Sequence, residues 1–481
     1  MLVDREARAV ASTATTRATV LAVTGSVYVL VSRTLGPSGV GAFSVLVTIA
    51  TVAVILGHLS VEQAQTYLWS TGVDRRALGA NAKVLGIMAG VVAGAAGWAA
   101  VRLLGPTVLP IGNSWLVGVA AGTVPATVTV LYLANVLMLA DRVQRVNLAL
   151  GTAAVIELVA VLLLVAYRGL TVTTAILVWA GSEVVPLFLL VPSVPGSWAD
   201  RSARLARRTV SLGARYHVAM VFLFLLWRVD ILIVNALASS AEVGRYAVAV
   251  AIAEVTYVVT DAIAQVMLPR QTASSMEESA RVTARLVRVS AMVGAGAVAA
   301  ITGSSMVLVP LVLGRPFTGV LPPLAVLAPG VVALATVRAV GGYLIRLDRP
   351  MILATLCGTA MAANVALNLI LVPVIGIVGS ALASSIAYLG LGAGYLTWMA
   401  TSSGIPWQAF VPRPADLSAM YRRIRPPSDV PTTTATTVVS HRPAAPGVRL
   451  RIGRRRRRHD LADSSQLVPG TQRAATTQSQ I

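Results

Sequence analysis

Lysine occurs once in this chain, at Lys83, and cysteine once, at Cys357. One cysteine excludes any intrachain disulfide framework or cysteine cluster, so no cofactor and no metal are expected. Charge is scarce too. Only 12% of the 481 residues are Asp, Glu, Lys or Arg, against roughly 25% in a soluble domain. That leaves too little polar surface to cover a water-soluble particle, and a soluble enzyme is excluded. Aromatic residues make up 5% and are not interleaved with the basic ones, so no nucleic-acid groove is expected.

What is abundant is apolar. Hydrophobic residues are 56% of the chain and the mean hydropathy is +0.77. Crossing the hydrocarbon takes about 20 mostly apolar residues in a helix. Twelve runs meet that rule, near 17–34, 40–60, 79–104, 114–139, 146–167, 171–193, 211–236, 243–268, 283–304, 320–344, 351–372 and 376–400. The Pro-containing piece 305–319 reads as a loop or a short re-entrant segment. Residues 1–16 carry charges but no small-residue cleavage site follows, so the first run reads as a retained helix.

The net charge of +20 is unevenly placed. The tail 401–481 holds 13 Arg and 4 Asp, which leaves +11 for loops. Alternate loops are basic, as at Arg75 and Arg76, Arg142 and Arg145, or Arg204, Arg207 and Arg208. The intervening ones hold single arginines: Arg33, Arg102, Arg168, Arg245 and Arg315. By the positive-inside rule this places both termini in the cytoplasm of a multi-pass cell-membrane protein. External loops are all short and offer no room for an external catalytic domain. The tail is rich in Pro, Thr, Ser and Ala and reads as disordered. Its Arg454–Arg458 run suits anionic inner-leaflet lipid.

The sequence repeats. Val40-Gly-Ala-Phe aligns with Val243-Gly-Arg-Tyr, and Asp141-Arg142…Gly151-Thr-Ala with Asp348-Arg349…Gly358-Thr-Ala. The organisation expected is therefore a cytoplasmic N-terminus (1–16), a six-helix bundle (17–193), a cytoplasmic linker (194–210), a second, parallel bundle (211–400) and the tail (401–481). Parallel repeats about an axis along the membrane normal are a transporter architecture, with the substrate path between the halves.

Three segments carry a resemblance. Ser32-Arg-Thr-Leu-Gly-Pro-Ser-Gly-Val-Gly-Ala-Phe-Ser44 resembles the first external turn of the polysaccharide (O-antigen type) flippases of the multidrug/oligosaccharidyl-lipid/polysaccharide exporter superfamily. Arg228-Val-Asp230-Ile-Leu-Ile with Ala241-Glu-Val-Gly-Arg-Tyr-Ala is similar to the start of that family's second half. Asn364-Val-Ala-Leu-Asn368-Leu-Ile-Leu-Val-Pro373 with Gly376-Ile-Val-Gly-Ser-Ala-Leu-Ala is similar to its last two spans. The resemblance covers roughly residues 15–400. It implies an all-α, inverted-V, two-bundle flippase fold and a polyprenyl-diphosphate-linked glycan as substrate, moved from inner to outer leaflet. Glycan polymerases or glycosyltransferases are compatible partners. The family offers no invariant catalytic residue. Span 1 lacks the acidic residue that proton-coupled drug exporters commonly carry there. The alternatives are a six-plus-six-helix exporter of small molecules or drugs, and a membrane-embedded polysaccharide polymerase.

An ionised side chain in mid-membrane costs about 2.5–3.5 kcal/mol on insertion scales, so it should face a cavity or a partner. Arg228 and Asp230 in span 7, Glu254 and Asp261 in span 8, Glu157 in span 5 and Arg338 in span 10 are such residues. Helical rise and antiparallel packing put Glu254 within reach of Arg228, and Asp261 at the depth of Arg338. Glu254 and Asp261 are two turns apart, on one face. Arg228 and Arg338, with Arg33, Asn364 and Asn368, are candidates to bind substrate, since guanidinium suits phosphate. Glu157, Asp230, Glu254 and Asp261 are candidates to couple an ion. Glu62, Arg102 and Glu183 read as interfacial groups, and His58 and His217 as packing residues. Gly86, Gly90, Gly94 and Gly97 form a small-residue face suited to close helix packing.

Overall fold

The computed structural model describes residues 2–108, 114–273, 275–347, 349–413 and 416. The Arg454–Arg458 run and nearly all of the tail lie outside them. Every regular element among the described residues is helical: α1 (Leu2–Gly57), α2 (Val61–Ser70), α3 (Arg75–Val108), α4 (Ser114–Leu139), α5 (Val143–Ala166), α6 (Val172–Leu190), α7 (Ala203–Leu237), α8 (Ser240–Ala273), α9 (Met276–Leu308), α10 (Leu321–Arg346) and α11 (Pro350–Ser403).

Nine of these among the described residues are long and apolar enough to span a membrane. Two of the nine fold back on themselves. α1 breaks at Gly36, whose φ of 65° favours glycine, just before Pro37, and Tyr28 comes back to face Ser44. α11 breaks at Ile375 and Gly376, just past Pro373. The fold-back brings Cys357 Sγ to 3.3 Å from the Tyr395 hydroxyl, 38 positions on. Counting both arms of α1 and of α11 and adding α8 gives twelve segments among the described residues, matching the twelve apolar runs of the sequence. Segment 305–319 is neither free loop nor re-entrant. α9 runs on through a wider turn, Val309–Leu313, and a tight turn, Arg315–Val320, leads into α10.

Each half has its own core. α1 and α3–α6 enclose Tyr132, Leu133 and Leu137. α7 and α9–α11 enclose Leu226, Leu334 and Tyr343. Inside a bilayer close packing of small residues holds helices together, because lipid is as apolar as the core. The glycine face of α3 does this: a Cβ on Gly90 would stand 2.4 Å from Pro125 Cα of α4. A third cluster is mixed. Val40, Val45 and Ile49 of α1 pack with Ile231 and Val234 of α7 and Val243 and Tyr246 of α8. This seam joins the halves at the end away from the basic loops.

Segment 194–210, expected as a linker, is bound to the first half. Asn81 exchanges hydrogen bonds with Ser202, at 2.9 and 3.1 Å. Lys83 Nζ donates to the carbonyls of Val194 and Gly196. From Ala203 the segment is already α7. Within it Asp200 accepts from the Ser197 N–H and hydroxyl, which holds its carboxyl below the usual carboxylate range.

Past α11 the chain turns back onto α9. Phe410 is buried in the second core. Arg288 Nε and Nη2 donate to Asp416, at 2.7 and 3.1 Å, and Nη1 donates to the Ala409 carbonyl. The Arg288 hydrogen bonds hold the Asp416 carboxyl below its usual range. The unfolded-state value is the higher one. The contribution is therefore complete above about pH 4 and lost as pH falls through the depressed folded value. Asp416→Asn is expected to cost about 1.5–3 kcal/mol and to expose residues 404–413 to limited proteolysis at neutral pH. Wild type should show that cleavage only in acid.

Candidate functional site

Deep in the spans of the second half, Arg228, Glu254, Asp261 and Arg338 form two ion pairs, the two that helical rise and antiparallel packing lead one to expect. Arg228 Nη2 lies 3.1 Å from Glu254 Oε1, and Arg338 Nη1 pairs with Asp261 Oδ2. α7 and α8 run antiparallel, which sets the first pair. α10 supplies the second cation. Glu254, Tyr257 and Asp261 share one face of α8. Tyr257 lies within electrostatic range of all four charged groups. Tyr28 of α1 is close to both Arg228 and Glu254. The Arg228 pair therefore stands where the halves meet. Its side chains are 28% and 31% exposed. Above it, toward the mixed seam, Tyr246 and Val243 are fully buried.

Asp230 points the other way and is buried. The Tyr246 hydroxyl donates to its Oδ2 at 2.6 Å, Ser384 Oγ donates to the same oxygen at 3.1 Å, and the Ile231 N–H donates to Oδ1 at 2.8 Å. Ser384 accepts from Asn364 Nδ2, and Asn368 Nδ2 donates to Asn364 Oδ1, both at 3.1 Å. Asn368 Oδ1 has no hydrogen-bond partner. Asn364 and Asn368, expected to face substrate, are fully buried in this network instead. The reason is the break at Gly376, which lays the two arms of α11 side by side and turns Asn364 toward Ser384, with Asn368 bonded behind it to Asn364. The network gathers carboxylate, hydroxyl and amide oxygens from α7, α8 and both arms of α11, a donor set suited to a hard cation.

In the first half Glu157 of α5 faces Glu183 and Ser182 of α6. Glu183 accepts from Thr127 of α4 at 3.2 Å. Glu183, read from its position near a helix end as interfacial, is a member of this group. No ion pair to Glu157 or Glu183 forms among the described residues. Arg33 stands apart, exposed three residues before the Gly36 break.

At the basic end the halves touch again. His217 of α7 lies 3.2 Å from Ser60 Oγ and 3.1 Å from the Leu56 carbonyl, and its ring meets His58 edge-on at 5.2 Å. α2, a short amphipathic helix, packs beside this contact. Asn135 ties it to α4 through Glu62 O and Gln65 Oε1, both at 3.0 Å. The twenty-residue rule passes over so short an element. An amphipathic period over 61–70 was the available signal.

No family model and no curated protein sequence matches the chain. Solved structures do. An inward-facing multidrug resistance MATE family transporter of the MOP superfamily is 12% identical, with 80% of this chain and 94% of that one covered and a TM-score of 0.55. Lipid II flippase MurJ in an inward closed conformation is 12% identical over 81% and 88%, with a TM-score of 0.57. A MOP superfamily transporter from Pyrococcus furiosus with a binding pocket of reverse polarity is 14% identical over 82% and 94%, also at 0.57. The chain thus has the MATE/MurJ-like fold.

Proposed function

We propose that the chain is a transporter, not an enzyme, and that it flips a polyprenyl-diphosphate-linked glycan across the cell membrane by alternating access. The observation that carries this is the pair of partly exposed guanidinium groups, Arg228 and Arg338, beside the seam between two repeated bundles. Guanidinium binds phosphate oxygens bidentately. A diphosphate headgroup entering from the basic, cytoplasmic side can exchange with Glu254 or Asp261 for these cations while its lipid tail stays in the bilayer. The carboxylates so released, with Glu157 and the Asp230 network, are the places where a coupling cation or proton binds. Arg33 serves the headgroup on the far side of its path.

A second reading, export of organic cations, has one observation in its favour, the uncompensated Glu157–Glu183 pair. Titration of the purified protein separates the two. A soluble short-chain polyprenyl-diphosphate sugar is expected to bind, and Arg228→Ala to weaken it roughly tenfold or more, the equivalent of losing one charge-assisted bond. Tighter binding of a cationic dye than of the diphosphate would favour the exporter.

A further inference from the structure

Arg338 is enclosed by groups that would hold any flat organic cation. Its Cζ lies 4.9 Å from the ring centroid of Trp227 and 4.3 Å from that of Tyr257, while Nη1 pairs with Asp261. Its Nε has no hydrogen-bond partner, so aromatic faces rather than acceptors contain that edge of the guanidinium. Aromatic faces and a carboxylate converging on one point form a site for weakly hydrated cations. Trp227 comes from α7, Tyr257 and Asp261 come from α8, and the guanidinium filling the space comes from α10. Charge is balanced only with that guanidinium present. Arg228 and Arg338 offset Glu254 and Asp261, and without Arg338 one negative charge is left over. The Asp261 side chain is 37% exposed, so a ligand can approach the cage.

We propose that Trp227, Tyr257 and Asp261 form an organic-cation site that the chain occupies with its own Arg338, so that Arg338 sets the sign of charge the cleft accepts. The proposal deepens the transport reading and rests on it only for placing the cluster on the substrate path. The cage chemistry stands or falls separately.

The test is equilibrium dialysis of labelled methylguanidinium, a flat cation of the size of the group removed, against the full-length protein in detergent. Wild type is expected to show no saturable binding. Arg338→Ala should bind at least roughly tenfold more tightly than wild type, in line with a desolvated cation–aromatic contact plus a freed carboxylate. Arg338→Ser, small and neutral, should gain binding as well and covers the case in which the alanine variant does not fold. Arg338→Lys should stay like wild type, because an ammonium still fills the cage. Adding Asp261→Asn or Trp227→Leu to Arg338→Ala should abolish the gain.

Three results would overturn the proposal: no gain in either neutral variant, a gain that survives Asp261→Asn, or wild type binding as tightly as Arg338→Ala. The last would also favour the exporter reading. Failure of the flippase reading looks different: wild type would not move the diphosphate lipid, yet the gain in Arg338→Ala would remain.

Discussion

Gly244→Ala is expected to unseal the end of the protein away from its basic loops. A Cβ at Gly244 would stand 1.9 Å from the Pro37 carbonyl oxygen, and one at Gly41 would stand 2.0 Å from the Ser240 carbonyl oxygen. The contact is reciprocal. Gly41 and Gly244 are equivalent positions of the sequence repeat, and each lies against the carbonyl four residues before its counterpart. Backbone atoms cannot rotate away as a side chain can. α1 and α8 must therefore separate by about 1 Å, the extra distance that van der Waals contact demands. Separation weakens the packing of Val45 and Ile49 against α7 and α8, part of the apolar cluster that joins the halves. Under the alternating access proposed above, this end must close in one of two states, and the expected loss of transport is roughly tenfold or more, since 1.4 kcal/mol suffices. Val45, buried in wild type, reports the change directly. In a Cys357→Ala background, Val45→Cys should resist an impermeant maleimide and become reactive once Gly244→Ala is added. Unchanged protection would mean that the seam does not depend on this glycine pair.

Asp230→Asn should uncouple the protein without unfolding it. The aspartate is buried and its acceptor oxygens receive three hydrogen bonds, but its nearest guanidinium, Arg228, is committed to Glu254. A buried carboxylate without a paired cation carries a desolvation cost of several kcal/mol. A coupling cation of the kind proposed above, bound next to Asn368 Oδ1 and Ser384 Oγ, would offset that cost. The wild-type unfolding midpoint in detergent should therefore rise when sodium replaces choline, and Asp230→Asn should remove the rise. Asp230→Leu is harsher. It leaves the Tyr246 and Ser384 hydroxyls without their acceptor, at about 1–3 kcal/mol each, and should lower the midpoint in either salt. A sodium response that survives Asp230→Asn would place the coupling site elsewhere, with Glu157 and Glu183 the next groups to test.

Much of this was legible in the residues. Twelve apolar runs give twelve passes because span length is set by bilayer thickness. The two ion pairs follow from helical rise, since Arg228, Glu254, Asp261 and Arg338 lie at matched depths on adjacent helices. Elsewhere depth alone was insufficient. Asn364 and Asn368 lie at a suitable depth for substrate, but the direction of their side chains depends on how α11 folds back at Gly376. Glu183 looked interfacial by position. Its role depends on rotation about the α6 axis, which an apolar helix with no polar face does not reveal. Trp227 and Tyr257 sit beside charges that mark a polar face, Arg228 on α7 and Glu254 and Asp261 on α8, but the residues do not show that α10 brings Arg338 between the two rings. The repeat located Gly41 and Gly244, yet alignment does not show that equivalent residues touch.

Leaflet exchange in proteoliposomes tests the central claim most directly. A fluorescent polyprenyl-diphosphate sugar should cross between leaflets faster with the wild-type protein than in empty vesicles, and Arg228→Ala should remove most of the difference. Exchange at the empty-vesicle rate, with correctly inserted wild-type protein present, would contradict the account.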